Sequence, residues 1–276
     1  MLYLHLAITC MEIKVEELLW KLNKMGKGNK PLLALHGYGQ DSTWFRHHAE
    51  LLEESYTLYC IDLAYHGDHE NFDAGLLFNS EYAEKWMKAI LETLKLEQIG
   101  LMGYSIGARV ALSVAAWHPD FVSELWLLAP DGLPVSKTYK LLTGTICGKL
   151  TFKSFIATPG FSLALISLFD KTKILNHKVA NFYRTEIGSK RKRQKLFDTW
   201  MAYRKAQPDY SVLQQNINKG NLSVTCILGK EDRVIPFRRT RKFVLKNLHG
   251  SGIIELELGH NLLSDKGARL LEEFWK

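Results

Sequence analysis

Short apolar runs and longer amphipathic stretches alternate along the first half of the chain. Residues 31–35, 56–61, 98–102 and 121–128 are compact apolar runs with the length of buried strands. Residues 17–24 alternate apolar and polar side chains, the period of a half-buried strand. Residues 2–8 read as a further edge strand, with Met11 as an alternative natural start. Between these runs, Ser42 opens a helix to about Glu54. Ser80 opens another to about Leu94, with Tyr82, Trp86, Ile90 and Leu94 on one face. Residues 108–117 form a third helix that stops before Pro119. Strand–helix units repeated in this way predict an α/β fold, a mostly parallel central sheet flanked by helices.

The alternation breaks at Ala129-Pro130-Asp131-Gly132. Residues 133–207 read as helices with basic faces and apolar stripes, punctuated by Pro159-Gly160 and Pro208-Asp209. The earlier pattern then resumes, with strands over 222–228 and 252–258 and helices over 237–248 and 266–275. The division this predicts is a core of residues 1–130 and 213–276. A helical cap of residues 131–212 is inserted after the sixth core strand. A cap placed there would lie over the C-terminal edge of the sheet, where open α/β sheets bind their ligands.

Charge sharpens the division. Residues 131–220 hold 16 Lys/Arg against 5 Asp/Glu, net +11, while the rest of the chain nets −4. The run Lys190-Arg191-Lys192-Arg193-Gln194-Lys195 fits a solvated helix face, attraction of an anionic substrate, or docking on an anionic membrane surface. No nucleic-acid motif accompanies it, so nucleic acid is not an expected partner. Phe152, Phe155, Phe161, Leu165 and Phe169 fit the interior of the cap, and some of them could also face a substrate channel.

The longest strongly apolar stretch, 161–169, is too short to cross a bilayer. The apolar start has neither the basic flank nor the small-residue cleavage site of a signal peptide. Cys10, Cys60, Cys147 and Cys226 show no C-x-x-C spacing and read as reduced thiols of a cytoplasmic protein. No Cys/His set has zinc spacing, and no metal or organic cofactor is expected.

The candidate chemistry centres on Gly103-Tyr104-Ser105-Ile106-Gly107, a G-x-S-x-G stretch between a strand and a helix. A serine at such a turn holds its hydroxyl clear of the backbone. The following helix N-terminus offers N–H groups to a developing oxyanion. Acyl transfer then needs a base, an acid to orient it and oxyanion donors, each placed after a strand. His260, between the last strand and the last helix, is the expected base. Asp232, after the penultimate strand, is the expected acid, with Asp131 and Glu231 as competitors. The backbone amides of Ile106 and of Tyr38, in His36-Gly37-Tyr38-Gly39, are the expected oxyanion donors. Tyr104 and Arg109, on either side of the serine, are candidate substrate contacts. Arg109 lies one helical turn beyond Ser105 on a similar face, and is equally placed for an ion pair beneath the turn.

The order Ser105, Asp232, His260, the His-Gly-x-Gly loop, Asp62-Leu63-Ala64-Tyr65-His66-Gly67 and the cap insertion together resemble the α/β-hydrolase superfamily over nearly the whole chain. Many members have Asp-x-Pro-Gly-His-Gly where this chain has Ala64-Tyr65. A serine at the elbow separates it from members with an aspartate nucleophile. The resemblance implies a serine hydrolase that cleaves a carboxylic ester or related small acyl compound without a cofactor. Tyr-Ser-Ile-Gly-Ala-Arg is also similar to the elbow of the menaquinone-pathway lyase, whose matching arginine contacts an acidic substrate. Lyase or C–C bond hydrolase chemistry is thus the alternative, together with a weakly catalytic ligand receptor on the same fold.

Overall fold

The computed structural model describes residues 8–69, 75–172 and 177–275. Strands β1 (Thr9–Val15) and β2 (Leu18–Met25) form an antiparallel hairpin. Strands β3 (Lys30–Leu35), β4 (Tyr56–Ile61), β5 (Ile99–Tyr104), β6 (Val122–Leu128), β7 (Ser223–Gly229) and β8 (Gly252–Leu256) follow. They make one sheet of order β1-β2-β4-β3-β5-β6-β7-β8, parallel from β4 to β8. Every residue of β5 is buried, as expected for a parallel strand covered on both faces.

The chain divides into two compact units, one of Met1–Phe72, Asn79–Pro134 and Ala206–Lys276, the other of Asp73–Phe78 and Val135–Lys205. The first unit holds the sheet and helices α1 (Arg46–Leu52), α2 (Ser80–Leu94) and α3 (Ile106–Trp117). The second holds α4 (Lys137–Gly144), α5 (Ile146–Ala157), α6 (Pro159–Lys171), α7 (His177–Ile187) and α8 (Lys190–Ala202). The chain then returns to the first unit through α9 (Tyr210–Asn218), α10 (Phe237–Asn247), α11 (Asp265–Leu270) and α12 (Glu272–Trp275). Thus residues 131–134 and 206–212, placed in the cap by the sequence pattern, lie in the sheet-bearing unit.

Helix α1 packs on α11 and α12, while α2 packs on α3, α3 on α9, and α9 on α10. In the second unit, Phe152 meets Phe197 and Trp200, and Ile166, Ala180 and Ile187 form a small core with Phe155, Leu163 and Tyr183. Phe161 is outside it, 66% exposed.

Several boundaries differ from expectation for local reasons. The strand expected over 2–8 falls outside the described residues except for Ile8. The observed β1 turns Ile13 and Val15 inward. Asp41, not Ser42, caps the first helical segment, accepting the Thr43 N–H at 2.9 Å. That segment starts as a 3₁₀ turn, and the Ser42 hydroxyl accepts from the Asn23 amide at 2.8 Å instead. Asn79 caps α2 by accepting the Tyr82 N–H at 2.9 Å.

His48 on α1 is fully buried with its ring 6.1 Å from that of Trp275, and neither ring nitrogen has a hydrogen-bond partner among the described residues. Burial, helped by the neighbouring His47, lowers its pKa to about 3 from the ordinary 6.5. The native state therefore resists a proton that the unfolded chain accepts below pH 6.5. This contribution to stability is fully present above pH 6.5 and is lost as pH falls from there towards 3. Between pH 7 and pH 5 the site should cost about 2 kcal/mol of unfolding free energy. Urea unfolding of parent and His48→Phe should show that difference in their pH dependence. Parallel curves would refute it.

Candidate active site

Strands β3, β5, β7 and β8 all end at the same edge of the sheet, because all four are parallel. Ser105 follows β5 directly and opens α3. Its backbone has φ 52° and ψ −117°, an uncommon conformation for a residue with a Cβ. The surrounding chain enforces it. The Ser105 N–H donates to Leu128 O at 3.0 Å. Its carbonyl accepts from Ala108 N at 3.1 Å, Arg109 N at 3.3 Å and Asp131 N at 3.1 Å.

The glycines of the elbow are required by space. A Cβ on Gly103 would lie 2.4 Å from Ala108 Cα, and one on Gly107 would lie 2.1 Å from Leu35 O. The first lets the helix fold back on its own strand. The second lets it pass against the end of β3.

His260 Nε2 is 3.2 Å from Ser105 Oγ, and His260 Nδ1 is 2.7 Å from Asp232 Oδ2. The other carboxylate oxygen, Oδ1, accepts the amides of Val234 at 2.8 Å and Ile235 at 2.9 Å. Asp232 is thus fixed at both oxygens within a turn, and its side chain is 2% exposed. The imidazole is 23% exposed, so it remains open to a proton carrier. The loops carrying Asp232 and His260 are joined by Lys230 N–H to Leu256 O at 2.8 Å and Glu231 N–H to Leu258 O at 3.1 Å. Gly229 permits this approach, since a Cβ there would lie 2.5 Å from Leu258 O. Among the described residues, neither Glu231 nor Asp131 forms a hydrogen bond or ion pair with His260. Glu231 is exposed, and Asp131 Oδ2 is 3.5 Å from Arg109 Nε.

Ile106 is the first residue of α3, where N–H groups have no intrahelical acceptor. Tyr38 sits in a tight loop at the end of β3. The Gly37 N–H donates to Gln40 Oε1 at 3.0 Å, the Gln40 N–H returns to Gly37 O at 3.3 Å, and Gly39 has φ +78°. His36 has a structural role. It is buried, with Nδ1 2.7 Å from Gly37 O and Nε2 accepting the Leu63 N–H at 2.9 Å.

The remaining candidates are less accessible than a substrate contact would be. Arg109 is 1% exposed, tucked beneath Gly132 and beside Asp131, which is the ion-pair arrangement beneath the turn. Tyr104 is 4% exposed. Its hydroxyl donates to the carbonyl of His260 at 3.0 Å and its ring lies against Gly37. Burial, and next the Asp232 charge, push the Tyr104 phenol well above its usual range, keeping it a donor. Tyr104 therefore braces both the loop of His260 and the loop of Tyr38. The residue before a serine carries no sequence mark of such a role, nor does Gln40.

The Asp62–His69 segment is a turn that Asp62 ties to the rest of the sheet-bearing unit. Asp62 Oδ1 accepts Ser42 N–H at 2.6 Å and Oδ2 accepts Asp68 N–H at 2.8 Å. Tyr65, standing where many superfamily members have glycine, adopts φ 67°.

The α/β-hydrolase fold family matches residues 30–249. The chain belongs to the α/β-hydrolase fold family. This hydrolase is 22% identical over 249 residues to an uncharacterized hydrolase, YugF, of Bacillus subtilis (strain 168), covering 89% of this chain and 88% of that protein. Other curated relatives match over 100 to 122 residues, about a quarter to a third of their own length. Among solved structures, a thermophilic esterase from Thermogutta terrifontis superposes with TM-score 0.67 at 17% identity, covering 96% of each chain. A haloalkane dehalogenase from Bradyrhizobium elkani superposes with TM-score 0.63 at 19% identity, covering 98% of each. Esterase and dehalogenase neighbours alike carry the fold alone, so this hydrolase's reaction has to be argued from its own residues.

Proposed function

We propose that this enzyme is a serine hydrolase that cleaves a carboxylic ester, or a related acyl compound, through an acyl-enzyme. The observation that carries the reading is the continuous chain Ser105 Oγ–His260–Asp232, at 3.2 and 2.7 Å. In this reading Ser105 Oγ attacks the carbonyl carbon while His260 Nε2 takes the hydroxyl proton. Asp232 holds Nδ1–H and balances the imidazolium charge. The amides of Ile106 and Tyr38 bind the oxyanion. Collapse of the tetrahedral species expels the alcohol, which receives the proton from His260. Water, activated by the same imidazole, then releases the acid.

The buried setting of Arg109 supports ester chemistry over a lyase that needs this arginine on its substrate. The test is turnover of p-nitrophenyl esters of graded acyl length. The parent protein should release nitrophenol with saturable kinetics on at least one chain length, and Ser105→Ala should not rise above buffer. Equal rates for parent and variant would reject the reading.

A further inference from the structure

The second unit leaves apolar positions uncovered on three consecutive helices: series on α5 and α6, and Leu141 on α4. On α5 the inward positions are Gly148, Phe152 and Ile156, while Ile146, Leu150, Lys153 and Ala157 share the opposite, exposed face. On α6, Ser162 and Ile166 point inward, and Phe161, Ala164, Leu168 and Lys171 are exposed at helical spacing. On α4, Tyr139 and Thr143 are buried and Lys137, Lys140 and Leu141 are exposed. The exposures are large for such side chains: Leu141 60%, Ile146 77%, Leu150 61%, Phe161 66% and Leu168 54%. Exposed apolar residues scattered singly are ordinary, but a series on adjoining helices marks a contact surface.

The charged side chains on the exposed faces named above, Lys137, Lys140, Lys153 and Lys171, are all basic. Between residues 132 and 169 there is no Asp or Glu, whereas Lys137, Lys140, Lys149 and Lys153 lie among the apolar positions. The α5–α6 pair is apolar enough for a membrane segment, yet it bends by 101° between the helices, and among the described residues no single helix is long and apolar enough to cross. Apolar side chains ringed by lysines on short helices suit the boundary between headgroups and acyl chains.

The basic run at 190–195 is less available for this purpose than its composition suggests. Lys192 pairs with Glu186 at 3.4 Å, and Arg193 donates to Ile187 O at 2.8 Å, closing the end of α7.

We propose that the exposed faces of α4, α5 and α6 dock on the surface of an anionic phospholipid bilayer, with Leu150 and Phe161 inserting and Lys137, Lys140 and Lys153 meeting the headgroups. The docking does not depend on the reaction assigned to Ser105. Vesicle co-sedimentation of the full chain tests it. The protein should bind phosphatidylcholine vesicles containing phosphatidylglycerol, bind pure phosphatidylcholine far less, and lose affinity as salt rises. Leu150→Glu with Phe161→Glu should weaken binding at least about tenfold. Lys137→Gln, Lys140→Gln and Lys153→Gln together should weaken it about a hundredfold, roughly fivefold for each lysine. Leu270→Glu, at an exposed apolar position of α11, should bind like the parent. Unchanged circular dichroism and Tm would show that all variants fold. No binding by the parent, or undiminished binding by both sets of variants, would overturn the proposal. So would a dimer of the parent that Leu150→Glu with Phe161→Glu converts to monomer, since a second copy would then be the occupant.

Discussion

Asp232→Asn should lower kcat for an activated ester by about 10⁴ with little change in fold, the scale set by neutralising a triad acid. The local hydrogen bonds say why. Asp232 Oδ1 accepts two amides, from Val234 and Ile235, and Oδ2 faces His260 Nδ1. An asparagine has one carbonyl oxygen, and the two amides claim it. Its NH₂ must then face Nδ1, which forces Nδ1 to be the acceptor and puts the ring proton on Nε2. A protonated Nε2 cannot take the proton of Ser105. Asp131→Asn makes the contrast. Asp131 touches Arg109 rather than His260, and its side chain is 29% exposed, so kcat should stay within about threefold of the parent. Steady-state kinetics on both variants decides it. If Asp131→Asn is the crippling change and Asp232→Asn is mild, the acid is wrongly assigned.

A large loss of stability from a single methyl group is expected at Gly107, in the elbow itself. In Gly107→Ala the new Cβ would stand 2.1 Å from Leu35 O and 2.5 Å from His36 O, both backbone atoms. Relief requires α3 to move off β3, which would also shift Ser105, the residue immediately preceding α3. The cost should be on the order of 4 kcal/mol or more, among the largest for point substitutions. Gly160→Ala is the control. Nothing lies within 4 Å of its Cβ position, and alanine in a helix is favoured over glycine by roughly 0.5–1 kcal/mol. Chemical denaturation should show Gly107→Ala unfolded or severely weakened and Gly160→Ala equal to the parent or better. Comparable stabilities for the two would mean that the elbow tolerates what its packing forbids.

Much of this site could be read from residue order because parallel topology does the assembling. Once 31–35, 98–102, 222–228 and 252–258 are taken as parallel strands, the loops after them must meet at one edge. Ser105, Asp232 and His260 lie in those loops, alongside Glu231 and His36, which only the three-dimensional contacts set apart. The strand–helix repeat gives a mostly parallel α/β sheet, and the resemblance of the motifs around Ser105, Asp232 and His260 narrows it to the α/β-hydrolase fold.

What the pattern could not supply depends on three-dimensional neighbours. The hydrogen bond of Tyr104 to the carbonyl of His260 spans 156 positions in the chain. Arg109 is compatible with a substrate contact or an ion pair until Gly132 and Asp131 are seen to cover it. Residues of the second unit that share an apolar character separate only by face, Phe152 inward and Phe161 outward. The cap expected over 131–212 is bounded by where the strand–helix alternation breaks and resumes. The structure divides by contact, and it assigns Asp131, which holds Arg109, and α9, which packs on α3, to the sheet-bearing unit. Ser42 and Ser80 have the composition of helix caps, but Asp41 and Asn79, one residue earlier, have the geometry.

The central claim is that Ser105 is a nucleophile made reactive by His260, and covalent trapping measures it most directly. A fluorophosphonate should add one phosphonyl group to the native protein. Tryptic mapping should locate the group on Ser105, and labelling should vanish in both Ser105→Ala and His260→Ala. Robust labelling of Ser105→Ala at another serine, or full labelling of His260→Ala, would contradict the account.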